Sequence, residues 1–253
     1  MSLRRRKELV DLARTYNALI VTDDVYDFLG WPTKDQASTT SELKSLLPRL
    51  SDIDRALPPH ASDPKHFGNT LSNGSFSKIV GPGVRTGWAD GTAALAYGLS
   101  QCGSSRSGGC GSQLVATFIS QILENGSLQS HIAEKLIPGY QRRWTTMINA
   151  IERALVPLGV QVSRASLEGK DVFGGYFIWL HLPDGVTAKL TAATAKEEEN
   201  LIVSEGELFE VHGDESAVKL GQWLRVCFAW EELETLDEGI DRLGRVVKKL
   251  QGI

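Results

Sequence analysis

The sequence predicts a mixed α/β protein: an α/β layer with a mostly parallel sheet over residues 1–128, then a smaller α+β domain over 129–253. Three observations predict it. A helical pattern near the start leads directly into a short continuous apolar run, the texture of a helix feeding a buried strand. Glycine-rich turns then separate the hydrophobic segments. After a long helical stretch, short strand-like runs follow and one amphipathic helix closes the chain.

Residues 2–17 read as a helix, with Ser2 placed to cap it and Leu9, Leu12, Ala13 and Tyr16 at helical spacing. Ala18 to Thr22 is the apolar run, expected to be a strand buried on both faces. From Trp31 to Thr70, prolines at 32, 48, 58, 59 and 64 break every pattern. That stretch reads as a surface excursion with at most one short helix near Ser41 to Leu47. Leu71 to Ser77 reads as turn-rich, and Arg85 to Gly91 as a strand edge. Gly103 to Gly111 is a Gly/Ser-rich loop, and Ser112 to Glu124 a strong helix. A second long helix is expected from Ser130 to Leu158, interrupted at Pro138. Val160–Val162, Tyr176–Leu180 and Trp223–Phe228 read as strands, and Glu232–Gln251 as the closing helix.

Composition is that of an ordinary globular chain: 253 residues, 42% hydrophobic, 23% charged, net charge −4. That balance offers no electrostatic reason for nucleic acid or an anionic membrane as partner. Arg4 to Lys7 is a short basic run at the start of a helix, read as a solvated face. No apolar run reaches membrane-spanning length, and the basic start is not followed by a hydrophobic stretch. Three cysteines without a Cys-x-x-Cys pair exclude a disulfide framework. Cys227 is expected in the core, and Cys102 and Cys110 in loops. The histidines are scattered, and no metal site is expected. We expect a reducing, cytoplasmic location.

Three segments carry chemistry. Thr22-Asp23-Asp24-Val25-Tyr26 places two acids directly after a strand, where open α/β sheets hold ligands; a solvated turn or a helix cap is the other reading. Ser75-Phe76-Ser77-Lys78 precedes Gly81-Pro82-Gly83-Val84-Arg85. Its hydroxyls, lysine and arginine are what a phosphate dianion needs. Ser75-x-x-Lys78 also matches the serine-nucleophile motif of penicillin-binding enzymes, but Gly-Pro-Gly stops the helix that motif would open and its partner motifs do not occur. Gly81-x-Gly83 lacks the third glycine of a dinucleotide fingerprint. In Trp223-Leu224-Arg225-Val226-Cys227-Phe228 an arginine interrupts an apolar strand, where it needs a partner or an edge facing water. Trp88 and Trp179 read as packing residues.

Taken in order, Asp-x-x-Tyr, Ser-x-x-Lys with an arginine seven residues later, and a late strand arginine resemble the fold-type I pyridoxal phosphate (PLP) enzymes, in particular the class I/II aminotransferases. Gly174 to Trp179 and the helical region Gln113 to Arg143 match more loosely. The resemblance covers essentially the whole chain. It implies the C-terminal part of the PLP-transferase large domain followed by the small domain. Lys78 would then attach to PLP and move the proton at the substrate α-carbon. Asp23, rather than Asp24, would pair with the pyridine nitrogen, and Tyr26 would bond the ring oxygen. Ser75, Ser77 and Arg85 would hold the phosphate. Arg225 would grip the carboxylate of the amino acid. The reaction implied is amino transfer between an α-amino acid and a 2-oxo acid, in wording closest to the 2-aminoadipate, aromatic or kynurenine-like branch. A PLP lyase or synthase would use the same residues, and a catalytically silent interaction module is the alternative of another class.

Family members also carry, before the position matching Met1, the first strands of the large domain, a phosphate-binding turn, an aromatic residue stacked on the pyridine ring and an Asn-Pro-x-Gly motif. From their absence we expect the chain to bind PLP weakly, to transaminate poorly, and to lack part of the interface of the family homodimer.

Overall fold

The computed structural model of the protein describes residues 1–33, 47–108, 111–167 and 170–253, with the backbone alone at 166, 167 and 170. The chain separates into two compact units. One comprises Met1–Ile137 with Ala165–Gly175; the other comprises Pro138–Arg164 with Tyr176–Ile253.

In the first unit, α1 (Leu3–Thr15) begins as the sequence predicts, with the Ser2 hydroxyl accepting from Arg5 N–H and Arg14 in the last turn. It feeds β1 (Ile20–Asp23). Next come β2 (Gly30–Pro32), α2 (Leu50–Ala56), β3 (Thr70–Ser75) and β4 (Gly87–Asp90). β3 is the middle strand of the order β1-β3-β4. It runs parallel to β1, with Asp23 opposite Asn73, and antiparallel to β4, with Gly74 opposite Trp88. The helices α3 (Ala93–Ser100), α4 (Gly103–Arg106), α5 (Gln113–Glu124) and α6 (Ser127–His131) follow. β6 (Ala165–Leu167) and β7 (Lys170–Gly174) form a separate antiparallel sheet with β2, in the order β2-β7-β6.

Several expectations are corrected here. β1 is not buried on both faces: among the described residues it pairs with β3 alone, and Val21 is exposed. Leu71–Ser77 is not a turn region but contains most of β3. Its Ser, Asn and Gly residues obscure the strand because they serve polar contacts and close packing, not burial. The Trp31–Thr70 stretch is not all excursion, since it holds the end of β2 and the whole of α2. The helix expected near Ser41 to Leu47 falls almost entirely on residues outside those described. The 103–111 loop contains α4, and Cys110 lies outside the described residues.

α2 is held by a buried ion pair. Asp54 accepts from Arg14 Nε at 2.8 Å, from Asn69 N–H at 2.7 Å and from the Thr70 hydroxyl at 3.2 Å. A buried carboxylate is tolerated only with this degree of satisfaction.

The expected second long helix is three pieces: α6, one π turn over Ile132–Leu136, and α7 (Ile137–Ala154). Pro138 has no N–H to give the Glu134 carbonyl, and the wider turn is the local answer.

In the second unit, β5 (Gln161–Val162), β8 (Phe177–His181), β10 (Trp223–Cys227) and β9 (Ser204–Glu205) form one antiparallel sheet in the order β5-β8-β10-β9. Ile178, Leu180, Leu224 and Val226 alternate onto its buried face. α7 contributes Trp144, Met147, Ile148 and Ile151 to the core. α9 (Leu233–Gln251) contributes Leu236, Ile240, Leu243 and Val247, a stripe at helical spacing. A further helix, α8 (Ala188–Glu199), was not anticipated; its Ala/Thr/Lys/Glu composition leaves little apolar periodicity. Cys227, expected in the core, is exposed: it shares the face of Arg225, not that of Val226. Among the described residues no helix is long and apolar enough to cross a membrane.

Candidate active site

The parallel register of β1 and β3 sets the geometry. Because Asp23 lies opposite Asn73, the carboxyl ends of both strands emerge side by side. That end of a parallel sheet is where α/β proteins place ligands. The Asp23–Tyr26 and Ser75–Lys78 segments, separated by half a hundred residues in sequence, therefore become neighbours.

The two acids face opposite ways. Asp23 is exposed and accepts from Asn73 Nδ2 at 3.1 Å. Asp24 accepts from the Ser72 hydroxyl at 2.6 Å and also from the Thr22 hydroxyl. Both hydroxyls reach the same oxygen, Oδ2, which is thus engaged inside the protein, whereas the exposed carboxylate is that of Asp23. Four residues on, Asp27 is half-buried, 3.7 Å from Arg49 Nε. Burial and then the Asp24 carboxylate push its pKa up to about 6, against the pull of Arg49.

Ser75 ends β3, and a short 3₁₀ turn, Phe76–Lys78, follows with the Ser75 hydroxyl accepting from Ser77 N–H. The turn raises Lys78 toward Tyr26, its Nζ standing 5.7 Å from the centre of the tyrosine ring. Gly175, at φ +76°, packs its backbone against the same ring; a Cβ there would sit 3.5 Å from Tyr26. In the residues just before Lys78, the Ser75 and Ser77 hydroxyls are 2.8 Å apart, and Arg85 Nη1 lies 3.5 Å from Ser77 Oγ. Arg85 takes a left-handed conformation at φ +47°, unusual for a side chain of this size, directly after the Pro82–Val84 turn. Two hydroxyls and a guanidinium thus converge on one spot, a donor set that suits a phosphate.

The floor of this region is aromatic. Trp88 packs on Phe76 at 4.8 Å and Phe28 at 6.1 Å between ring centres, the packing role expected of it. It also lies flat over Gly74, where a Cβ would come within 2.1 Å of the indole. Glycine is required at that position by contact.

Arg225 lies in the second unit, on a strand with neighbours on both sides, so it is not an edge residue. Its guanidinium carbon is 4.0 Å from the centre of the Phe177 ring and 4.1 Å from that of Phe209. Its Nε is buried without a hydrogen-bond partner. Trp179 sits opposite Arg225 across the β8–β10 ladder and meets Phe209 edge-on at 5.2 Å, again a packing role.

Sequence reasoning missed Asn73, Asp27, Phe177 and Phe209. Asn73 was detectable only through the parallel register. Phe209 falls in a segment without periodic pattern, and no sequence signal pointed to it.

The fold, the paired strand ends and the lysine-bearing turn define an α/β enzyme architecture of the fold-type I PLP kind. The profile of the family described as aminotransferase class I and II matches residues 1–243, and the chain belongs to that family. An uncharacterized protein of Saccharomyces cerevisiae is 36% identical over 98% of this chain and 52% of its own length. The crystal structure of an α-aminoadipate aminotransferase from Thermus thermophilus, complexed with N-(5'-phosphopyridoxyl)-L-leucine, superposes with TM-score 0.71 and 25% identity, over 99% of this chain and 55% of that one. The kynurenine aminotransferase of Pyrococcus horikoshii gives TM-score 0.74 and 27% identity, over 98% of this chain and 52% of that one. The chain spans about half the length of the relatives it matches.

Proposed function

We propose that this chain carries the lysine-bearing portion of a PLP-dependent aminotransferase acting on an α-amino acid and a 2-oxo acid. The observation that carries the reading is the approach to Tyr26 of Lys78, on the same short turn whose Ser75 and Ser77 hydroxyls cluster with Arg85.

The residues fit the cofactor chemically. Ser75, Ser77 and Arg85 would hold its phosphate, Tyr26 its ring oxygen and Asp23 its pyridine nitrogen. The internal engagement of Asp24 supports Asp23 for that last role. PLP, when bound, supplies the electron sink that makes the α-proton of an amino acid removable. Lys78 would hold it through its amine and would carry the proton at the substrate α-carbon. Tyr26 orients the lysine by packing beside it. Arg225 takes the substrate carboxylate through its guanidinium fork. We assign the first unit to the cofactor-binding large domain and the second to the small domain. The names of the similar aminotransferases support a 2-aminoadipate, aromatic or kynurenine-like substrate. The exposed free thiols Cys102 and Cys227 support a reducing, cytoplasmic setting.

The test is borohydride reduction of the chain after addition of PLP, with the pyridoxyl group located by peptide mass spectrometry. A single adduct at Lys78, lost in Lys78→Ala, is the expected outcome. Labelling scattered over surface lysines, or none, would overturn the assignment.

A further inference from the structure

We propose that Phe177 and Phe209 are positioning residues that hold the Arg225 guanidinium flat between them, so that a carboxylate is accepted only in the guanidinium plane. The proposal rests on the reading of Arg225 as the carboxylate-binding arginine.

Both rings contact the cation: the guanidinium carbon lies 4.0 Å from the centre of the Phe177 ring and 4.1 Å from that of Phe209. Phe177 is on β8, whose main chain is locked to β10 by the Cys227↔Phe177 and Arg225↔Trp179 pairs. Phe209 ends a short 3₁₀ turn, Gly206–Phe209, and is buttressed edge-on by Trp179. That turn is itself held by close packing. A Cβ on Gly206 would fall 2.4 Å from the Leu220 carbonyl, so the chain passes there without room for a side chain.

The chemistry follows from what stacking does and does not satisfy. A π face attracts the cation but leaves its N–H donors without acceptors and its charge without a counter-charge. The buried Nε, with no hydrogen-bond partner, shows this directly. An arginine fixed by a carboxylate of its own chain would have to break that pair to bind a substrate; an arginine fixed by two rings does not. The rings remove the rotamer freedom that binding would otherwise have to quench. They also block approach from above and below. The open direction is the guanidinium edge, where a planar carboxylate makes two parallel hydrogen bonds. Phe209 thereby becomes a determinant of affinity for the carboxylate of either substrate, without touching it.

The experiment uses the full chain labelled with ¹⁵N and titrated with 2-oxoglutarate. The Arg225 Nε–H resonance is followed, assigned by its loss in Arg225→Gln; in that variant the Trp179 indole N–H serves instead. Phe209→Leu keeps apolar bulk and removes one π face, and is expected to weaken binding about three- to fivefold, the worth of one cation–π contact with a partly exposed ring. Phe209→Tyr restores native affinity, which a purely structural role for phenylalanine bulk would not require. Phe177→Leu reads the opposite ring in the same way, should Phe209→Leu fail to fold. Native affinity in both leucine variants, with binding lost in Arg225→Gln, would overturn the clamp and leave the carboxylate reading standing. Native affinity in Arg225→Gln, or no response in the native chain, would overturn both.

Discussion

At the scale of single residues, burial decides what a carboxylate does. Asp23 and Asp24 are adjacent in sequence and chemically identical, yet one is exposed and the other is held through one oxygen by two hydroxyls. Asp27 goes further, with its pKa raised from the usual 3.8 to about 6. A carboxyl raised on folding binds its proton more tightly in the folded state. Its contribution to stability is therefore present at low pH and is lost as pH rises from about 4 to about 6. At about 1.4 kcal/mol per pH unit, the shift from 3.8 to about 6 corresponds to about 3 kcal/mol, which solvent screening of a half-buried carboxyl reduces to about 2 kcal/mol. Asp27→Asn removes that dependence. The stability of the variant relative to the native chain should rise over the same interval, as read from urea denaturation at a series of pH values. A difference that does not vary with pH would show that Asp27 is not held in this way.

At the scale of elements, polar contacts build what periodicity does not reveal. β3 reads as a turn region because Ser72, Asn73, Gly74 and Ser75 are poor strand formers, but each has a job. Ser72 bonds Asp24, Asn73 bonds Asp23, Gly74 makes room for Trp88, and Ser75 caps the turn carrying Lys78. α2 is a comparable case. Its seven residues are too few for an independent helix, and Asp54 ties it to α1 through Arg14 and to β3 through Asn69 and Thr70. Asp54→Ala leaves Arg14 Nε, Asn69 N–H and the Thr70 hydroxyl without their acceptor and the guanidinium without its counter-charge, although its Nη groups keep the main-chain carbonyls of Pro58 and residue 54. It should cost about 3–5 kcal/mol, measured by thermal or urea unfolding. A loss below about 1 kcal/mol would mean that solvent replaces the carboxylate and that the pair is not structural.

At the scale of the whole molecule, the two units differ in how completely their strands are enclosed. β8 and β10 are interior strands whose core residues Ile178, Leu180 and Leu224 are fully buried. β1 pairs with one neighbour among the described residues and leaves Val21 exposed. Amides opened by local fluctuation exchange first where such enclosure is least. Hydrogen exchange followed by mass spectrometry should therefore show peptides over 177–181 and 223–227 protected longest, and those over 20–23 exchanging much earlier. Equal protection would mean that β1 is covered by something beyond its pairing with β3.

Much was legible from the sequence alone. The α1 cap, the closing helix, the strands at 177–181 and 223–227 and the family resemblance all rest on local signals: a capping hydroxyl, apolar residues at a period of two or near four, short motifs around Asp23, Lys78 and Arg225. Such signals survive because each depends on residues close together in the chain. What only the tertiary structure decided depends on partners far away. The place of β3 between β1 and β4, the choice of Asp23 as the outward acid, the exposure of Cys227 and the aromatic enclosure of Arg225 follow from strand register and packing. Those are set by which surfaces bury one another, and no local pattern encodes them.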